Sequence, residues 1–368
     1  MLTVRFPVAA LAIVLSLLSI VSGAPQPQNR KGSGNRGGGG GGGNGNGNGR
    51  QTAQQKAAQV PQGITQATDG SMILDMTANV NSSRLQALTE LHSGLDLRFK
   101  ISGPADQFTA ASGVPGAAAQ AGAQGTLGLN VLLHGDGGQS FFDMPNQGVQ
   151  QNLAGVAVLA PDPNLFWGGG QGLRRTNGVE HSQAVNDLIQ KTLPQMMAFN
   201  QSNVFFTGVS GGSLMLSGFF MPAHMQNFAG NGVLLNCGGL EPQVAVQDPQ
   251  AIANTRIHFQ STRQELSSLQ RAIPASIKAY EQIATGAGLS ADQVNAKQTV
   301  NNSPNGGHCA FDERGFVSGI QLVANNYATI MQGGNGEVQG IGNVLTGVTG
   351  NENLQFTGSS RVRRGMIG

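Results

Sequence analysis

The chain has 368 residues, of which 11% are charged, a formal net charge of +2 and two cysteines. Much of the positive charge lies near the ends (Arg30, Lys31, Arg36, Arg50, Arg361, Arg363, Arg364). The middle therefore lacks the basic stripe that nucleic-acid binding requires, and the length allows one large α/β domain or two small ones.

Arg5 makes a short basic start, Val8 to Val21 is apolar except for Ser16 and Ser19, and Ser22-Gly23-Ala24 offers small residues for cleavage. Residues 1–24 read as a secretory signal peptide, the run being short for a membrane span. No second apolar stretch of spanning length follows, so the expectation is an extracellular protein with no membrane partner after cleavage. In that setting two cysteines favour one disulfide, Cys237 to Cys309, over two free thiols. On the chain-entropy account such a bridge contributes about 4 kcal/mol. Asn81, Asn200 and Asn301 each open an Asn-x-Ser acceptor for glycosylation.

Residues 25–63 are rich in Gln, Asn and Gly, with a run of seven glycines. Such a segment buries too little apolar surface to offset its chain entropy and is expected to be disordered. Residues 71 to 80 and Leu95 to Ser102 alternate apolar and polar, the period of half-buried strands, with a short helix expected over 83–92 and a surface loop over 109–126. From Leu127 the pattern changes. Leu127 to Leu133 and Val156 to Ala160 are continuous apolar strands, and His181 to Met197 has helical spacing with Pro194 limiting its length. An elbow strand and helix follow over 203–221, the helix stopping near Pro222. Strands at Gly232 to Asn236 and Thr255 to Ser261 come next, then helices over 264–284 and 311–331. Buried strands alternating with helices predict a parallel, doubly wound sheet in one domain, 64–332. The Gly/Asn-rich tail 333–368 is expected to be irregular, with Ile341, Val344 and Leu345 able to dock on the body.

Gly208-Val209-Ser210-Gly211-Gly212, between a β-favouring run and a helical segment, is the strand, sharp turn and helix of a nucleophile elbow. A serine hydroxyl there needs a general base, an orienting carboxylate and donors for a developing oxyanion. Such sites follow the order Ser, acid, His. Of the histidines after Ser210, His224 sits just past the elbow helix and His258 inside a predicted strand. His308 lies in the loop Asn305-Gly-Gly-His-Cys309 and is the candidate base. A carboxylate just past a strand end leaves Glu265, with Glu241 second, although Thr262-x-x-Glu265 also reads as a capping box. The N–H of Gly211 and one from His134-Gly-Asp-Gly-Gly138 would form the oxyanion hole, Asp136 being the preferred second donor and Gly137 the alternative. Phe166 and Trp167 are candidates to line a substrate pocket.

The blocks LNVLLHGDGGQSFF, GVAVLAPDPNLFWGGG, VFFTGVSGGSLMLSGFF, TRIHFQSTRQELSSLQ and NGGHCAFD resemble a family of secreted fungal proteins often labelled "cyclin-like F-box", a label no feature of the chain supports. More distantly they resemble secreted esterases of the polyhydroxybutyrate-depolymerase and feruloyl-esterase type. The resemblance covers most of 64–332. It implies an α/β-hydrolase fold with Ser210, an acid and His308 as triad, and no metal or organic cofactor. At the acid the chain departs from the broader esterase pattern, which has a Gly before an Asp where Ser261 and then Glu265 stand here. The expectation is a serine carboxylesterase acting on esters of cell-wall polysaccharide or polyester. Its rival is a non-catalytic surface or host-interacting effector protein on the same fold.

Overall fold

The computed structural model describes residues 51–80, 94–144, 148–228 and 230–358. The signal-like segment 1–24, Asn81, the helix expected over 83–92 and the last ten residues lie outside them. Order starts earlier than composition predicts. Ala53–Ala57 forms a helix whose Thr52 hydroxyl accepts from Gln55 N while the Gln55 side chain accepts from Thr52 N. Arg98 fixes this segment to the body: its Nε and Nη2 donate to the two carboxylate oxygens of Asp75 (2.9 and 2.7 Å) and its Nη1 to the carbonyls of Lys56 and Gln59 (3.2 and 3.1 Å).

The strands, in chain order, are β1 (Gly63–Gln66), β2 (Met72–Val80), β3 (Leu95–Gly103), β4 (Gly128–Leu133), β5 (Leu153–Val158), β6 (Val204–Val209), β7 (Gly232–Asn236), β8 (Arg256–Gln260), β9 (Gln298–Asn301), β10 (Glu337–Val338), β11 (Gly342–Asn343) and β12 (Thr346–Gly347). Among the described residues ten of them join one sheet in the order β1-β2-β3-β5-β4-β6-β7-β8-β9-β12. β1, β2, β3 and β5 pair antiparallel in turn, β5 through β9 run parallel, and β12 closes the far edge antiparallel to β9. Antiparallel strands leading into a parallel sheet, with β5 placed outside β4 and the elbow strand β6 inside it, are the α/β-hydrolase arrangement. The chain has that fold.

Side chains on successive strand residues enter two different cores. Leu129, Val131 and Leu133 of β4, Val204 and Phe206 of β6, and Val233 and Leu235 of β7 pack on one side. Leu132, Phe205 and Leu234 pack on the other. Both faces are covered by helices, which is why these strands are apolar throughout instead of alternating.

The helix expected over 181–197 and the elbow helix both run through a proline, the first ending beside Met197 as expected and the second running on past Pro222. Leu188–Thr192 and Leu216–Phe220 are π-helical turns placed just ahead of Pro194 and Pro222. The wider turn bonds the N–H of Leu193 to Leu188 O and that of Met221 to Leu216 O. It thereby absorbs the missing proline donor, and helix continues to Met196 and to His224. The polar stretch between Ala284 and Phe311 holds a helix (Ala291–Lys297) and β9. The tail is also more ordered than predicted. β10 and β11 form a hairpin, β12 joins the sheet, and Ile341, Val344 and Leu345 pack against the second core.

Removing one partner of a buried, hydrogen-bonded ion pair typically costs about 3–5 kcal/mol. Arg98→Ala should therefore lower the free energy of unfolding in denaturant by about that amount and expose residues 51–60 to proteolysis. A change below ~1 kcal/mol would contradict this account of how the segment is held.

Candidate active site

Ser210 lies between β6 and the helix Gly211–Met215. Its backbone has φ 51° and ψ −110°, a left-handed conformation in which a non-glycine residue is strained. The strain is sustained from both sides. Ser210 N donates to Asn236 O at 2.8 Å, and Ser213 Oγ donates to the same carbonyl at 2.9 Å. The elbow also needs its glycine at 212, where a Cβ would stand 2.0 Å from Leu133 O. Strand β4 and the elbow helix approach too closely there for any side chain.

His308 lies on the loop between β9 and the helix Phe316–Asn325. Thr262 Oγ donates to Gly307 O (3.1 Å), Arg263 N donates to Pro304 O (2.8 Å), and Cys309 is joined by a disulfide to Cys237, the residue that follows β7. These ties bring the His308 ring to Ser210, Nε2 lying 2.9 Å from Oγ across 98 residues of chain. Nδ1 makes a short hydrogen bond to Glu265 Oε1. With Nδ1 engaged by the carboxylate, Nε2 is the ring nitrogen that faces the serine hydroxyl. Glu265 is fully buried and accepts also from Leu266 N at 2.7 Å. The helix after β8 begins at Leu269, five residues later than expected. Thr262 and Glu265 thus form no capping box; the threonine hydroxyl is spent on the His308 loop. Glu241, the second candidate acid, is exposed on a different loop.

The loop after β4 crosses in front of Ser210. Gly137 N donates to Leu165 O at 3.1 Å, which removes it as an oxyanion donor and leaves Asp136 N and Gly211 N as the candidates. Gly211 stands at the start of its helix, where backbone N–H groups have no intrahelical partner. The Asp136 carboxylate is held by Arg175, a contact the sequence reading missed. Phe316 was missed too: its ring lies 6.0 Å from that of His308 and within 3.6 Å of a Cβ built on Gly135, so it walls the site. Trp167, expected in a pocket, is fully buried. It packs between the rings of His134 and His181 (centroids 5.5 and 6.2 Å). Phe166 is half-buried.

Of the glycosylation acceptors, Asn200 sits in a turn, its Oδ1 accepting from Ser202 N. Asn301 is a correction: it is buried in β9 and its Nδ2 donates to Gln260 Oε1 at 3.2 Å, so its amide is not presented to an enzyme. Cys237, His308 and Cys309 lie close enough together to suggest metal ligands. The two sulfurs are bonded to each other, so neither is the thiolate a metal would need. A cleft of about 380 Å³ lined by Arg263, Asn302, Ser303 and Gln355 includes none of Ser210, His308 or Phe316. No helix among the described residues is long and apolar enough to cross a membrane.

No protein-family model matches the chain, and no curated protein matches it. Solved structures of similar fold include a thermostable esterase (16% identity, TM-score 0.46, 70% of this chain and 61% of that one). An acylaminoacyl peptidase from Pyrococcus horikoshii follows at 11% identity (TM-score 0.40, 71% and 42%). A poly(3-hydroxybutyrate) depolymerase from Bordetella parapertussis is similar at 12% identity (TM-score 0.39, 70% and 89%). The chain thus spans less than two thirds of the first two, and strand order, not these likenesses, carries the fold assignment.

Burial pushes His134, His181 and His258 from the ordinary 6.5 down to about 4. As pH falls the unfolded chain takes up these protons first, so stability contributed by the neutral rings is complete above pH 6.5 and is lost progressively toward pH 4. Each residue should cost on the order of 2 kcal/mol near pH 5. Denaturant unfolding should give clearly lower stability near pH 5 than near pH 7.5. Equal values would show that the rings are not held neutral.

Proposed function

We propose that this chain is a serine hydrolase acting on ester bonds. The reading is carried by the contact of His308 Nε2 with Ser210 Oγ at 2.9 Å, made while Nδ1 is engaged by a buried carboxylate. In the reaction Ser210 attacks the ester carbonyl as His308 accepts its proton. The imidazolium formed is stabilised by Glu265, and the oxyanion lies between the N–H groups of Asp136 and Gly211. His308 then protonates the leaving alcohol, and a water activated by the same imidazole releases the acid. The half-buried Phe316 presents an apolar wall beside the nucleophile, which suits an acyl or aryl group. The apolar N-terminal run and the disulfide support export, where esters of cell-wall polysaccharide or polyester are the substrate class.

The test is labelling with a fluorophosphonate, followed by assays on short-chain and aromatic esters. Ser210 should be labelled in the wild type and unlabelled in Ser210→Ala. Ester turnover should fall on the order of 10⁴-fold or more in Ser210→Ala, His308→Ala and Glu265→Gln. A wild-type protein that takes no label and cleaves no ester would leave a non-catalytic protein on this fold.

A further inference from the structure

The loop that crosses Ser210 carries a feature that hydrolase chemistry does not by itself require. Asp136, which would donate its backbone N–H to the oxyanion, also bears a carboxylate, and that carboxylate lies directly against Gly211. A Cβ built on Gly211 would stand 2.0 Å from Asp136 Oδ1. A negative charge beside both oxyanion donors opposes the charge that develops there. Arg175 answers it. Nη1 and Nη2 donate to the two Asp136 oxygens at 2.7 Å each, Nη1 donates also to Trp167 O at 3.0 Å, and the guanidinium is 1% exposed. A bidentate pair of this kind, the arginine buried and the Asp136 side chain 26% exposed, fixes geometry as well as charge.

The other side of the same peptide is held as firmly. Gly135 O accepts from His134 Nδ1 at 2.6 Å and from Gly138 N at 3.1 Å, while His134 Nε2 accepts from Ala160 N at 2.8 Å. In a trans peptide the N–H of Asp136 points opposite to that carbonyl, away from His134.

We propose that Arg175 is a positioning residue of the oxyanion hole. It neutralises the Asp136 carboxylate and anchors Asp136 so that its N–H stays aimed at the oxygen forming above Ser210. This rests on the serine-hydrolase reading and extends it to a residue 35 positions before the nucleophile.

The experiment uses the full chain with Arg175→Met and Arg175→Lys, each alone and combined with Asp136→Asn. Ester hydrolysis and inhibition by an alkyl boronic acid, whose tetrahedral adduct places an oxygen in the same spot, are measured on each. Arg175→Met should lower kcat about 10²-fold with KM within about threefold, and weaken the boronate in parallel. Asp136→Asn in that background should recover about tenfold, because the unpaired charge is gone. Arg175→Lys, which keeps the charge but not the fork, should lose about tenfold. The proposal is overturned if both Arg175 variants keep kcat within twofold of wild type, or if Asp136→Asn recovers nothing. Where circular dichroism shows that the Met variants do not fold, kcat of Arg175→Lys alone decides. An active wild type with unaffected Arg175 variants sinks this proposal only, whereas a wild type that takes no fluorophosphonate sinks the hydrolase reading and this one with it.

Discussion

Five parallel pairings from β5 to β9 mean that every one of those strands releases its chain at the same edge of the sheet. The site depends on this constraint. The loop after β4 brings the Gly135–Asp136 peptide, the turn after β6 brings Ser210, the residue after β7 brings Cys237, the turn after β8 brings Glu265, and the loop after β9 brings His308. None of these segments is near another in sequence. Ser210 and His308 are 98 residues apart and Glu265 and His308 are 43, yet each side chain needs only a short loop to reach its partner.

The interior behind that edge holds several buried polar side chains. His258 bonds Thr299 and Gln260, and Gln260 takes a second bond from Asn301, so β8 and β9 are joined through side chains as well as through the backbone ladder. On the other side of β6, His134, Trp167, His181 and Arg175 pack beneath the loop after β4. Buried polar groups are costly unless satisfied, and satisfied ones admit few alternative arrangements. The loops that carry Asp136 and His308 therefore rest on buried polar side chains as well as on apolar ones.

Much of this was legible in the sequence because the informative signals were local. Apolar runs placed β4, β6 and β7, and Gly208 to Gly212 placed Ser210 at the turn between a strand and a helix. What was not legible came from long-range packing. Gln298-Thr299-Val300-Asn301 has neither apolar continuity nor alternation; it is a strand because its polar side chains find partners on β8 and on Tyr280 O. The helix start at 269 was misjudged because Thr262 spends its hydroxyl on Gly307, a contact invisible along the chain. The helix expected to stop near Pro222 runs on to His224 because a π turn, which leaves no mark in composition, precedes the proline. Arg175 carried one faint signal, a pair of arginines in a chain with few charges, but its partner 39 residues earlier could be found only in the fold.

The left-handed backbone at Ser210 sets the proposed activity and robustness against each other at a single position. A residue with a Cβ bears a penalty of roughly 1–3 kcal/mol in that conformation, whereas glycine adopts it freely. The most durable form of this molecule is accordingly one with no hydroxyl at 210, so on the hydrolase proposal the strained serine is where the chain gives up stability for reactivity.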